Sequence, residues 1–128
     1  MSEQRHPDIE VYVKECNALQ LYDWLKSNVG DVSPPHKSKD NIKTTLTWQS
    51  SQIPVLIQER VVGKAWTSIW FDSDETPWAT DLDCARQISK ELSVQTRCIL
   101  SGWNEGDEPD EWMKIHNDHE EKISWQTH

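Results

Sequence analysis

The sequence predicts an α+β domain: a curved antiparallel sheet of six or seven strands with two helices on one face, in the element order βαββ-βαββ. Three observations carry that expectation. Trp66, Ser68 and Trp70 alternate with Thr67, Ile69 and Phe71, a period of two in β-branched and aromatic residue types. Asn17 and Thr80 each precede a segment whose apolar residues recur at helical spacing, with a capping partner three positions on. Between these segments, short clusters of Ser, Gly, Asn and Pro break the chain into lengths that suit hairpins.

In chain order, residues 1 to 8 are polar and expected to be loose. Ile9, Val11 and Val13 alternate with Glu10, Tyr12 and Lys14 as a first strand. Asn17 with Gln20 opens the first helix, whose apolar face is Ala18, Leu21, Tyr22, Leu25 and Val29, and Gly30 stops it. Residues 31 to 41 include Pro34, Pro35, His36, Lys37 and Lys39, lack periodicity, and read as an exposed loop. Ile42 to Trp48 and Val55 to Glu59 are strands separated by a turn at Ser50 to Gln52, with Pro54 tolerable at a strand start. Val62, Gly63 and Lys64 turn the chain into the Trp66–Phe71 strand, which completes a meander.

That strand ends at Asp72 to Glu75, where short polar side chains compete for backbone hydrogen bonds and carboxylates resist burial. Pro77 biases Thr76 away from helix, and Thr80 with Asp83 caps a second helix starting near Asp81, with Leu82, Ala85, Ile88, Ser89 and Leu92 on one face. Asp81 and Asp83 suit its first turn, where the macrodipole is positive. Val94 to Leu100 reads as a strand, residues 102 to 111 as an acidic loop and Trp112 to Ile115 as a strand. From about His116 a polar tail is expected, with Ile123 to Trp125 as a short final strand at most.

Two units of like order suggest either a ferredoxin-like sheet with additions or a paired-module fold that resembles the vicinal-oxygen-chelate proteins. The second resemblance implies a metal held by His and Glu from strands lining the concave face. The opening strands of the two halves offer Glu10 and no His, so neither a metal nor a cofactor is expected. Residues Asp72 to Thr76 also fit the DxDxT pattern of haloacid-dehalogenase-type phosphotransferases. That chemistry needs a downstream base and further acids on a parallel sheet, whereas the 52 residues after Thr76 read as antiparallel. The HxxH pair His116 and His119 reads as part of a solvated tail, the acidic loop lacks calcium-loop spacing, and no glycine-rich phosphate loop occurs. No catalytic residue is assigned.

Composition narrows function further. The chain has 128 residues, one domain's worth, and a net charge of −9. Residues 1 to 64 balance eight acids with eight Lys or Arg, whereas residues 65 to 128 hold fourteen acids against five. An acidic half disfavours nucleic acid and anionic membrane, and suits a basic protein partner. Cys16, Cys84 and Cys98 are odd in number and form no CxxC, which fits a reducing cytoplasm. No cleavable leader or run of roughly 18 apolar residues is present.

Eight tryptophans beside a single Phe assign most of the indoles to the core and leave one or two for a binding surface. The first candidate surface is the loop in which Trp103 and Trp112 bracket Glu105, Asp107, Glu108, Asp110 and Glu111, suited to docking Arg or Lys. The second, which suits a small-molecule-binding protein or an enzyme, is a pocket on the open face of the sheet, lined by Trp48, Trp66 or Trp70 with Asp72 or Asp74 at its rim. The reading that follows is a non-enzymatic binding, adaptor or inhibitor protein, immunity-like, for a basic partner. A homodimer through a sheet edge or helix face is compatible with it.

Overall fold

A computed structural model describes residues 5–99 and 111–125. They form a single antiparallel sheet with two helices: β1 Ile9–Lys14, α1 Ala18–Asn28, β2 Asp31–Val32, β3 His36–Lys37, β4 Asn41–Trp48, β5 Ser51–Val62, β6 Trp66–Phe71, α2 Asp81–Leu92, β7 Gln95–Ile99, β8 Glu111–His116 and β9 His119–Ser124. The strand order is β2-β4-β5-β6-β1-β7-β8-β9, with β3 also on β4.

β1 is central, antiparallel to β6 on one side and to β7 on the other. β6 and β7 therefore run parallel to each other with β1 between them, and α2 is the crossover that links them. The described residues thus hold nine strands in place of six or seven. The two halves are not equivalent in the sheet: β6 neighbours the last strand of the first half, β5, while β1 neighbours β7, the strand that follows the second helix. The short turn at Gly63, which takes φ +64°, dictates this by folding β6 directly back onto β5.

The helix caps follow from the residues at each start. Asn17 accepts from the Gln20 N–H while the Gln20 side chain accepts from the Asn17 N–H, a closed capping box. Glu59 of β5 adds a carboxylate acceptor for the Ala18 N–H at 2.7 Å. Thr80 caps α2, and Ser93 closes it in the left-handed region. After α1 the chain passes close to β4, where a Cβ on Gly30 would lie 2.7 Å from the Thr47 carbonyl oxygen.

Both helices pack on one face of the sheet. Ile9, Val11 and Val13 of β1, Ile53, Val55 and Ile57 of β5, and Ile69 and Phe71 of β6 meet Leu21, Trp24 and Leu25 of α1 and Ala85 and Ile88 of α2 in one core. The segment 31–41, expected to be a loop, instead lays β2 and β3 along β4. Ser33 holds it there: its hydroxyl accepts from Thr45 N–H, and its carbonyl accepts from the Thr44 and Tyr22 hydroxyls. The expected tail is also a strand. Asn117 takes φ +59°, the turn brings His119 opposite His116, and β9 pairs with β8 along its length. At the N-terminus, Arg5 donates to the carbonyls of Asp74, Thr76 and Trp78, and the His6 N–H donates to the Ala79 carbonyl.

Candidate functional site

Strand alternation sends every second side chain away from the helices, and the register places those residues in rows across the sheet. One row reads Asn41, Gln58, Ser68, Tyr12, Arg97, Lys114 and Glu121, taken from β4, β5, β6, β1, β7, β8 and β9 in turn. A parallel row reads Lys43, Leu56, Trp70 and Glu10. No helix among the described residues covers this face.

Its centre is aromatic. Trp125, just past β9, folds back so that its ring lies 4.8 Å from Trp66, 5.0 Å from Trp112 and 5.6 Å from Tyr12, centroid to centroid. Tyr12 and Trp112 meet edge to face at 5.3 Å. The Arg97 guanidinium sits 4.7 Å from the Trp66 ring centroid and 4.5 Å from that of Trp125, and its Nε donates to Gln95 Oε1 at 3.0 Å. Burial among these rings holds the Arg97 pKa below its ordinary value. Among the described residues no carboxylate pairs with Arg97, so the indole faces stabilise its charge.

Trp70 stands apart from that cluster. Its Nε1–H donates to Asp8 Oδ2 at 2.7 Å, Leu56 and Glu10 flank it on the neighbouring strands, and a shallow, mostly apolar hollow of about 290 Å³ opens beside it between Lys43, Pro54 and Leu56. Asp72, exposed just beyond β6, donates its N–H to the Pro54 carbonyl at the same end of the sheet. Desolvation on the sheet surface, and then the charge of Asp8, hold the Glu10 carboxyl above the usual carboxylate range although part of its side chain reaches water.

The second candidate set is therefore divided. Trp66 and Trp70 lie on the open face, but Trp48 belongs to the helix-bearing face, where it packs against the core. Its position in β4 decides this, two residues beyond the fully buried Leu46. Trp48 and Asp74 line a different open hollow, of about 450 Å³, with Arg5 and Glu75. Of the first set, Trp112 is buried in the aromatic cluster, whereas Glu111, its neighbour in β8, points to the other face and pairs with Lys122 at 3.3 Å. Trp103, Glu105, Asp107, Glu108 and Asp110 lie outside the described residues. Tyr12, Arg97 and Trp125 were not singled out from the sequence. The alternation of β1 carried the signal for Tyr12, opposite in phase to Val11 and Val13.

One titratable pair lies under the helix-bearing face. Asp81 is 3 % exposed, and its Oδ1 sits 3.4 Å from His6 Nδ1. Burial pushes the Asp81 carboxyl up to about 7 against the bond from the Glu10 N–H, and the charges of Asp8 and Glu10 add to the rise. Burial likewise lowers the His6 pKa, and Asp8 and Asp83 oppose it. Both shifts favour neutral forms, which suits a sealed contact between the N-terminal segment and α2. Among the described residues no group of His, Cys, Asp or Glu is placed to hold a metal ion. His116 and His119 face each other across the β8–β9 hairpin and are exposed.

No family model, curated protein or solved structure gives a significant match to this chain. No helix among the described residues is long and apolar enough to cross a membrane.

Proposed function

We propose that this chain is a non-enzymatic binding protein, of the adaptor or inhibitor kind and immunity-like in its logic, whose uncovered sheet face meets a basic protein partner. The observation that carries the proposal is that face itself: Tyr12, Trp70 and Trp125 are partly exposed on it, Trp66 and Trp112 are buried in the ring cluster beside them, and no helix among the described residues covers it. Large aromatic side chains on a rigid sheet supply contact area at low entropic cost. Among the described residues, the hollows beside Trp70, between Trp48 and Glu75 and between Asn17 and Glu59 are open to solvent, whereas a small-molecule site buries most of its ligand.

The acidity is unevenly available for such a partner. Asp83 and Glu120 face Arg86, Glu121 faces Lys114 and Glu111 faces Lys122, so these four acids of α2, β8 and β9 meet cations of the same molecule. Asp8, Glu10, Asp72, Asp74 and Glu75 have no Lys or Arg side chain in ion-pairing contact among the described residues, which leaves negative charge available at the Trp70 end of the sheet. Three free, buried cysteines suit the reducing compartment inferred from their spacing.

Capture from a lysate on the immobilised protein, washed at ~50 mM and ~500 mM salt, tests the reading. A retained basic protein that high salt releases, and that a Trp70→Ala surface fails to hold, is the expected result. Equal retention at both salt concentrations argues against electrostatic recognition.

A further inference from the structure

We infer that the notch at Trp70 is a receptor for one arginine side chain of a partner protein, with the aliphatic stem on Leu56 and Pro54, the guanidinium on the Trp70 ring and its outer nitrogens on Glu10. This deepens the proposed function and rests on it.

The row Lys43, Leu56, Trp70, Glu10 changes character from one side to the other. Leu56 offers an apolar flank and Glu10 an anionic one, with the half-buried indole between them. A guanidinium suits such a place better than an ammonium: it is planar and weakly hydrated, stacks on an indole, and can engage a carboxylate through two N–H groups at once. Its carbon stem matches the hollow formed by Pro54, Val55, Leu56 and Trp70.

Among the described residues, no Lys or Arg side chain pairs with Glu10 or Asp8. Asp8 is spent on fixing the Trp70 ring through the Nε1 bond, which pre-orients the platform without neutralising the site. Arg5, the nearest arginine in sequence, is committed to three backbone carbonyls. Lys43 stands three strands from Glu10, about 14 Å at the usual strand spacing and beyond the ~8 Å screening length of physiological salt. Glu10 and Asp8 thus oppose each other on a partly dry surface, and an incoming cation relieves that opposition.

The test uses the full chain labelled with nitrogen-15 and a short peptide carrying two arginines, with the citrulline version of the same peptide as the neutral isostere. The Trp70 indole N–H resonance, assigned by its loss in Trp70→Phe, is expected to shift on titration with the arginine peptide and to saturate at a Kd on the order of 1 mM. The citrulline peptide is expected to leave it unmoved. Glu10→Gln, an exposed and near-isosteric change, is expected to weaken the arginine peptide by about tenfold or more. Leu56→Lys, which adds a second cation beside Lys43 in the hollow and next to Trp70, tests the same site from its other wall and is expected to do likewise. Shifts confined to residues other than Trp70 overturn the notch while leaving a basic partner elsewhere on the molecule intact. Equal shifts with both peptides, or a Glu10→Gln protein that binds as the parent does, also overturn it. A response to neither peptide overturns it as well, and the salt-dependent capture then decides separately whether the wider reading survives.

Discussion

Trp24 of α1 and Trp78 of the segment before α2 stack with their ring planes 17° apart and their centroids separated by 6.1 Å. Each indole sends its N–H to α2: Trp24 Nε1 to Glu91 Oε1 at 2.7 Å, and Trp78 Nε1 to Gln87 Oε1 at 2.8 Å. Gln87 in turn donates to Glu91. Two helices with no sequence contact are thereby tied by a pair of rings whose single polar atoms are both satisfied, as buried indoles require.

Removing the ring and removing its acceptor are expected to differ in size. Trp24→Ala deletes a side chain at the centre of the helix layer and should cost about 3–5 kcal/mol in urea unfolding. Glu91→Ala strands the Trp24 N–H and should cost roughly 1–2 kcal/mol, whereas Glu91→Gln keeps an acceptor and should cost less. An alanine variant at Glu91 as stable as the parent would show that water replaces the carboxylate without loss.

Arg97 makes a second prediction, on the opposite face. Its guanidinium lies against both the Trp66 and the Trp125 ring and helps to hold Trp125 on the sheet. Arg97→Ala should destabilise by about 1–3 kcal/mol, and Arg97→Met, which keeps the stem and loses the charge, by less. The near-ultraviolet circular dichroism of the indoles should weaken in both. An unaltered aromatic signal in Arg97→Ala would mean that the rings pack on one another without the cation.

The contrast between these two sites bears on what the sequence could disclose. Element type was legible where one physical signal dominated: the capping box at Asn17, the Thr80 cap, and the period of two in β6 lie in the residues themselves. Burial on both faces of β6 has a cause outside the strand, because Trp66 is covered by Trp125 from a segment read as a polar tail. That tail misled because β9, His-Glu-Glu-Lys-Ile-Ser, is nearly all polar. It is an edge strand whose charged side chains face solvent and whose apolar content is one Ile. The signal for the hairpin was Asn117 followed by Asp118, a turn pair between residues of no marked strand propensity. The division of Trp48 from Trp66 and Trp70 was readable in principle, since phase within a strand fixes a face, but the phase of one strand relative to another depends on register. Charge pairing across strands, such as Glu111 with Lys122, was hidden for the same reason.

The three thiols should be inert in the folded protein. Burial pushes the Cys16 thiol up to about 11, and burial followed by the Asp81 charge raises Cys84 and Cys98 further. At pH ~8 the Cys16 thiolate fraction falls roughly a hundredfold below that of a free cysteine, before any steric protection is counted. Ellman's reagent should therefore find no fast thiol in the native protein and three in urea. One native thiol reacting at the rate of free cysteine would contradict the burial described.

Stability should also depend on pH through His6 and Asp81, in opposite senses. The Asp81 carboxyl is raised from 3.8 to about 7, so across that window the folded protein keeps a proton that the unfolded chain has released. Stability contributed there is present at the acid end and is lost as the pH rises through about 7. His6 is lowered from 6.5, so just below that value the unfolded chain binds the extra proton and stability rises with pH. The His6 effect lies below pH 6.5 and opposes that of Asp81 there. Asp8, Glu10 and Asp83 face the pair and reinforce the cost of an Asp81 anion or ease that of a His6 cation. Asp81→Asn keeps an acceptor for the Glu10 N–H and removes the titration. From pH ~5 to pH ~8 the parent should lose stability relative to this variant by on the order of a few kcal/mol, read from urea midpoints at each pH. His6→Gln should steepen the parent's decline below pH 6.5. Parallel pH profiles for the parent and Asp81→Asn would show that the carboxyl already ionises at its ordinary value, and that the seal between the N-terminal segment and α2 is open to water.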